Sequence, residues 1–217
     1  SLETGASTIV NPLTAWFLVE RARQEGHGAL IQTAAAGQLG RMIVRLTQQA
    51  GLAAIHIVRR EAQAALVRDL GGEHILLSEE PDFTKRLAEL AERLSATIAF
   101  DAVAGELTGT VLGAMPPKST IIVYGDLAAA PCVIEARNFV FERKRVEGFW
   151  LADMAEEIGL VKGLRLAAMV QRGLKDELQT RIQARHPLTA GRESIDAYEA
   201  AMTAGKVLWA MGGASEV

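Results

Sequence analysis

The 217-residue sequence predicts a doubly wound α/β fold, a parallel sheet with helices on both faces, and three observations carry that prediction. Short apolar runs of strand type alternate with segments whose apolar residues recur every three or four positions. Glycines stand just past the first three of those helical segments, at Gly26, Gly51 and Gly71, where a left-handed residue stops a helix at little cost. A glycine-bearing stretch, AAAGQLG at 34–40, separates the first strand-like run from the helix that follows it.

Taken in order, Asn11 followed by Pro12 reads as a helix start, because the Asn side chain can cap free amides and Pro preorganises the first turn. That helix carries Leu13, Trp16, Phe17 and Glu20 and stops at Gly26. The run ALIQTA is a strand, after which Leu39, Met42, Ile43 and Leu46 keep helical spacing up to Gly51. AAIHIV reads as the second strand, EAQAALVRDL as a helix closed by Gly71 and Gly72, and HILL as the third strand. Phe83, Leu87, Leu90 and Leu94 mark another amphipathic helix, followed by strand TIAFDAV, helix ELTGTVLGAM and strand STIIVYG. Strands joined by crossover helices run parallel, connect right-handedly and are buried on both faces. Past AAAP the pattern changes. NFVFERKRVEGFWL reads as a short helix or extended segment and then a strand, so the sheet ends near Leu151, and a long helix is expected from about Asp153 to Arg172. TRIQARHPL then reads as extended, SIDAYEAAMTAG as helical and KVLWAM as a final strand, with no internal repeat or low-complexity linker.

Composition narrows the function classes. Hydrophobic residues make up 49% of the chain, enough for a sizeable core, and the net charge of −3 arises from acids and bases spread along it. No basic stripe points to nucleic acid or an anionic membrane surface. No apolar run approaches the roughly 20 residues that span a bilayer, and SLETGAS lacks the basic start and apolar middle of a signal peptide. The single cysteine, Cys132, excludes an internal disulfide and a multi-cysteine zinc cage, so a reducing, cytoplasmic setting is expected. His27, His56, His74 and His186 fall at no metal-ligand spacing, and surface or satisfied-core roles are expected for them.

In AAAGQLG, Gly37 and Gly40 sit three apart between strand and helix, with Ala35 in the place of the first glycine of G-x-G-x-x-G. Two readings stand, a plain glycine turn or a dinucleotide turn. In the second, a pyrophosphate approaches the main chain at Ala36, Gly37, Gln38 and Leu39, where helix amides and the dipole favour anions, while Gly40 lets the helix pack close to the strand. The location in the first βαβ unit favours the nucleotide. The second strand ends in IVRRE, about 20 residues on, where a carboxylate would meet the ribose 2′-hydroxyl of NAD. Arg59 and Arg60 stand there instead. An arginine fork accepts no proton from a hydroxyl, but it donates bidentate hydrogen bonds to a 2′-phosphate, which selects NADPH. At roughly 1.5 to 3 kcal/mol per charged hydrogen bond, one good contact gives about a tenfold to hundredfold preference. The other reading is a solvated pair, with Glu61 beside it as a local partner.

These residues, with VNPLTAW at Val10, FDAVAG at Phe100, IIVYG at Ile121 and VEGFWL at Val146, resemble the medium-chain dehydrogenase/reductase superfamily. The nearest likeness is to its zinc-independent quinone oxidoreductases and mitochondrial-type 2-enoyl thioester reductases, and it runs from Asn11 to GKVLW at Gly205. The resemblance implies a Rossmann-type NADPH domain over residues 1–175. It also implies a segment, 176–217, that returns to a GroES-like catalytic domain which the sequence does not contain. It implies hydride transfer to a quinone or an α,β-unsaturated carbonyl or enoyl thioester, with a chain inactive by itself, against a rival reading as an NADPH-binding sensor or scaffold. It places Asn11 and Thr14 near the nicotinamide, the main chain at Val103, Ala104, Gly105, Tyr124 and Gly125 along the cofactor, and Phe149, Trp150 and Leu151 at its carboxamide end. On the residues alone, Asn11 is a helix cap, Phe149 and Trp150 are core or interface residues, and Tyr124 ends a buried strand. The family's proton donors generally come from the catalytic domain, so no catalytic residue is assigned, and no metal is expected. A homodimer through the last strand of the sheet is expected both from the resemblance and from the unpaired edge that strand would leave.

Overall fold

In the computed structural model, which describes residues 2–154, 166, 168, 170, 172, 173 and 176–210, the first element is a short helix, α1 (Leu2–Ser7). Helix α2 (Val10–Gln24) follows almost at once. Here the structure corrects the sequence reading. The residue before α2 is Ile9, with no side-chain cap, and Asn11 lies inside the first turn rather than capping it. Pro12 is compatible with this, because first-turn amides have no helical acceptor to lose. The far end is as expected: Glu25 closes the helix and Gly26 takes the left-handed backbone at φ +76°.

The strands are β1 (Ala29–Gln32), β2 (Ala53–Val58), β3 (His74–Leu77), β4 (Ala96–Asp101), β5 (Thr120–Val123) and β6 (Arg145–Gly148). Between them run α3 (Gln38–Gln49), α4 (Glu61–Asp69), α5 (Phe83–Leu94), α6 (Glu106–Ala114) and the short α7 (Arg137–Val140). All pairings in this sheet are parallel, in the order β3-β2-β1-β4-β5-β6. The order reverses at β1, where the chain returns from β3 to lay β4 on the other side. The expected doubly wound Rossmann-like fold is therefore the one observed.

Two-residue alternation divides each strand between two cores. Leu30, Ile98, Phe100 and Ile122 face α2 and α3, meeting Leu18, Met42, Ile43 and Leu46. Ile31, Ile55, Ile57 and Ile121 point the other way, onto Phe83, Leu87 and Leu90 of α5 and Val111 and Leu112 of α6. Phe100 is fully buried, and cutting such a ring back to a methyl costs about 3–5 kcal/mol. The long helix expected from about Asp153 to Arg172 lies largely outside the described residues. Beyond it, β7 (Ile182–Pro187), a 3-10 turn (Leu188–Ala190), α8 (Gly191–Ala200) and β8 (Lys206–Ala210) form a separate two-stranded parallel sheet.

Candidate functional site

Residues singled out in the sequence follow the carboxyl ends of five strands: 36–40 after β1, 59 and 60 after β2, 103–105 after β4, 124 and 125 after β5, and 149–151 after β6. Because the strands are parallel, these turns share one edge of the sheet. Neighbouring strands β1 and β4 send the chain to opposite faces, to α3 and α6, and so open a crevice where ligands bind in such sheets. Asn11 and Thr14 belong to α2, whose Leu13 and Trp16, like Tyr124 and Phe149, pack against the core between α2, α3 and the sheet. The Phe17 and Phe149 rings lie 6.4 Å apart, so Phe149 belongs to that packing, whereas Trp150 is 69% exposed.

The glycine turn is tight. Ala35 N–H donates to Ile57 O at 3.1 Å and Gly37 N–H to Ala34 O at 2.9 Å. Gly37, in extended conformation, precedes α3 without a side-chain cap, so first-turn amides remain for an anion. A Cβ on Gly40 would stand 2.6 Å from Ala34 O and 2.7 Å from Ala35 Cα, so the helix lies against the turn at a distance that only glycine allows. An uncapped helix start above a backbone cradle fits a cofactor diphosphate.

Arg59 and Arg60 are exposed at the end of β2. Gln63 Oε1 accepts both of their amides, at 2.9 and 3.2 Å, fixing the start of α4. Glu61 pairs with Arg68 at 2.9 Å rather than with either arginine. The carboxylate near Arg59 is Glu79, 3.6 Å away across an exposed gap, and such a pair is worth about 0–1 kcal/mol. Both guanidiniums are exposed, and the weak pair of Arg59 with Glu79 is one that a phosphate can displace.

The crevice floor holds a group that the sequence reading passed over. Asp101, fully buried at the end of β4, accepts the Thr33 hydroxyl at 2.7 Å and the Val103 amide at 2.9 Å on one oxygen, and the Thr108 hydroxyl at 2.6 Å on the other. Thr33 in turn accepts the Ala102 amide at 2.9 Å. This network fixes the turn after β4, where Ala104 and Gly105 both take positive φ, at 65° and 66°. The loop after β5 folds over that turn, with Ala128 N–H donating to Val103 O at 2.8 Å. Burial, and after it the charge of Asp101, holds the Tyr124 phenol above its ordinary range, so it is a poor acid at neutral pH. The signal for Asp101 in the sequence was an acid closing an apolar strand, FDAV.

Away from this edge, a cavity of about 380 Å³ lies between the carboxyl ends of α2 and α3, bordered by Val19, Arg23, Leu46 and Gln49. Among the described residues, no group of three His, Cys, Asp or Glu is placed to hold a metal, and no helix is long and apolar enough to cross a membrane.

Residues 39–163, more than half of the chain, match the zinc-binding dehydrogenase family. The chain belongs to that family. Within the medium-chain dehydrogenase/reductase superfamily it falls in the zinc-independent branch. The mitochondrial enoyl-[acyl-carrier-protein] reductase of Xenopus tropicalis is 28% identical over 185 residues, 78% of this chain and 52% of that protein. A structure named as an NADPH:quinone reductase of Mesorhizobium loti is 34% identical with a TM-score of 0.87, covering 96% of this chain and 60% of that one. A mutant enoyl thioester reductase from Candida tropicalis shares the fold at 15% identity and TM-score 0.80, over 97% and 62% of the two chains. This family member spans about half the length of the curated relatives it matches.

Proposed function

We propose that the chain binds NADPH across the crevice between β1 and β4 and is the cofactor-binding part, residues 1–175 with a returning segment 176–217, of a zinc-free oxidoreductase. The observation that carries this reading is the convergence of five strand-end turns on one edge, around an uncapped α3. In this reading the amides of Gln38 and Leu39 hold the diphosphate, and Arg59 and Arg60 hold the 2′-phosphate. The main chain at Val103, Ala104, Gly105, Tyr124 and Gly125 supports the body of the cofactor. Asn11, Thr14 and the Phe149–Leu151 segment flank the nicotinamide end. NADPH supplies the hydride; the protein supplies orientation and exclusion of water. The acceptor class is a quinone or an enoyl thioester, which the names of the relatives support.

The test is calorimetric titration of the chain with NADPH and NADH, followed by absorbance loss with a panel of quinones and 2-enoyl thioesters. NADPH is expected to bind, with turnover far below the ordinary enzyme rate of about 10 per second. Hydride transfer needs an acceptor held about 3–3.5 Å away, and such positioning supplies roughly 7–11 kcal/mol that one side of a cleft cannot provide. Absence of NADPH binding overturns the reading, and full turnover overturns the assignment as a cofactor part alone.

We infer further that two copies pair through β6. It is the edge strand of the sheet, its Val146 is exposed, and so are Phe139, Val140 and Phe141 in the segment that leads into it.

A further inference from the structure

Two side chains from the first turn of α3 reach toward the C-terminal two-stranded unit. Gln38 Oε1 accepts the Arg181 amide at 3.0 Å, across 143 positions of sequence. Arg41 donates its Nε–H to Ala36 O at 2.8 Å and its Nη2 to Thr203 O. One guanidinium therefore grips the glycine turn on one side and the turn before β8 on the other. Gln38 and Arg41 are each only 7% exposed, so water competes weakly for these bonds. The planar fork donates to the two divergent carbonyls from separate nitrogens in a fixed geometry, which the single nitrogen of a lysine does not reproduce.

The electrostatics around this bridge are one-sided. Among the described residues no carboxylate pairs with Arg41, and its charged neighbours are Arg45 and Arg181. As a cation in the first turn of a helix, Arg41 also faces the positive end of the dipole. Arg45 Nη1 and Gln38 Nε2 are buried without a hydrogen-bond partner. Positive charge and unused donors thus accumulate beside the uncapped start of α3. An anion held there would offset the repulsion, so the C-terminal unit packs on α3 most firmly when the turn is filled.

We propose that Arg41, together with Gln38, is a positioning residue that couples diphosphate binding at the glycine turn to the docking of residues 181–210 on α3. This rests on the cofactor reading above, since it is the cofactor's diphosphate that fills the turn. By linkage the effect is mutual: whatever loosens the C-terminal unit weakens the cofactor.

The test is amide hydrogen exchange across 181–210 of the whole chain, alone, with NADPH and with inorganic pyrophosphate, beside calorimetric affinities. Both ligands are expected to slow exchange there in the parent chain. Arg41→Ala is expected to weaken NADPH by about fivefold or more, the low end of couplings between sites, and to abolish the ligand-dependent slowing, with exchange in α5 unchanged. Arg41→Lys, which keeps the charge but not the fork, restores part of both. Gln38→Ala, which removes only the link to Arg181, gives a smaller change of the same kind and serves if Arg41→Ala does not fold. NADPH binding without altered exchange across 181–210 overturns the coupling, and a folded Arg41→Ala chain that still shows the parent's slowing overturns the part given to Arg41. Failure of the parent chain to bind NADPH or pyrophosphate overturns the cofactor reading instead, a result separate from the other two.

Discussion

The Asp101 carboxylate accepts the Thr33 hydroxyl at 2.7 Å, joining the ends of β4 and β1, neighbours in space that lie 68 positions apart in sequence. Three donors converge on this one buried group. Asp101→Ala leaves all three without their acceptor and is expected to cost about 3 kcal/mol or more in a urea melt, since buried unmet donors cost about 1–3 kcal/mol each. Asp101→Asn keeps one acceptor oxygen for Thr33 and Val103 and turns its amide toward Thr108, so about 1–2 kcal/mol is expected. NADPH affinity should fall in both, and an unaltered affinity in Asp101→Ala would separate this network from the cofactor crevice.

The alternation of strand and helix was legible because the strands are apolar on both faces and the first three long helices, α2 to α4, end at a glycine. Gly26, Gly51 and Gly71 all take the left-handed backbone that this reading required of them. The start of α2 was misread because Asn-Pro is a good local start, while the immediately preceding α1 brings the chain into the helix two residues earlier. The roles of Asp101 and Arg41 were missed for a different reason, although the acid closing FDAV left a local trace of the first. Beside their local partners, Thr33, Thr203 and, for the adjoining Gln38, Arg181 are brought near only by the tertiary fold, and no local spacing records these remote contacts.

Acid should loosen the sheet at His56. This residue is 3% exposed, and Gln32 Nε2 donates to its Nδ1 at 2.8 Å. Burial, and after it the charge of His74, pushes its pKa down from 6.5 to about 4. The unfolded chain therefore binds the extra proton first as pH falls. The stability from neutral His56 is complete above about pH 6.5 and is lost between there and pH 4, by about 3 kcal/mol. Denaturant melts across this range should show that loss, and His56→Gln should flatten it.

Changing Arg59 and Arg60 together to Ala should weaken NADPH by about tenfold or more while leaving NADH nearly unchanged, because only the former carries the 2′-phosphate. Removing Glu79 should shift NADPH slightly the other way, since its exposed pairing with Arg59 at 3.6 Å competes weakly with the phosphate. Calorimetry with both cofactors checks this, and an equal loss for NADPH and NADH would assign the arginines to folding.

The edge pairing has its own readout. Sedimentation at tens of micromolar is expected to show a dimer, and Val146→Lys, on the exposed strand β6, should release monomers without unfolding the sheet. A strict monomer in the parent chain would remove the edge from consideration.

Two glycine-to-alanine changes separate space from propensity. At Gly40 the new methyl meets backbone atoms at 2.6 and 2.7 Å, with no flexible side chain to yield, so α3 must lift from the turn. Overpacking of this kind costs about 1–3 kcal/mol, and NADPH affinity should fall with it, because the amides at the start of α3 move with the helix. At Gly113, near the end of α6, nothing stands within 4 Å and the backbone is not left-handed, so alanine should raise stability by about 0.4–1 kcal/mol. Thermal melts with and without NADPH distinguish the two. Equal behaviour at both positions would mean that the close approach of α3 to residues 34 and 35 does not shape the turn.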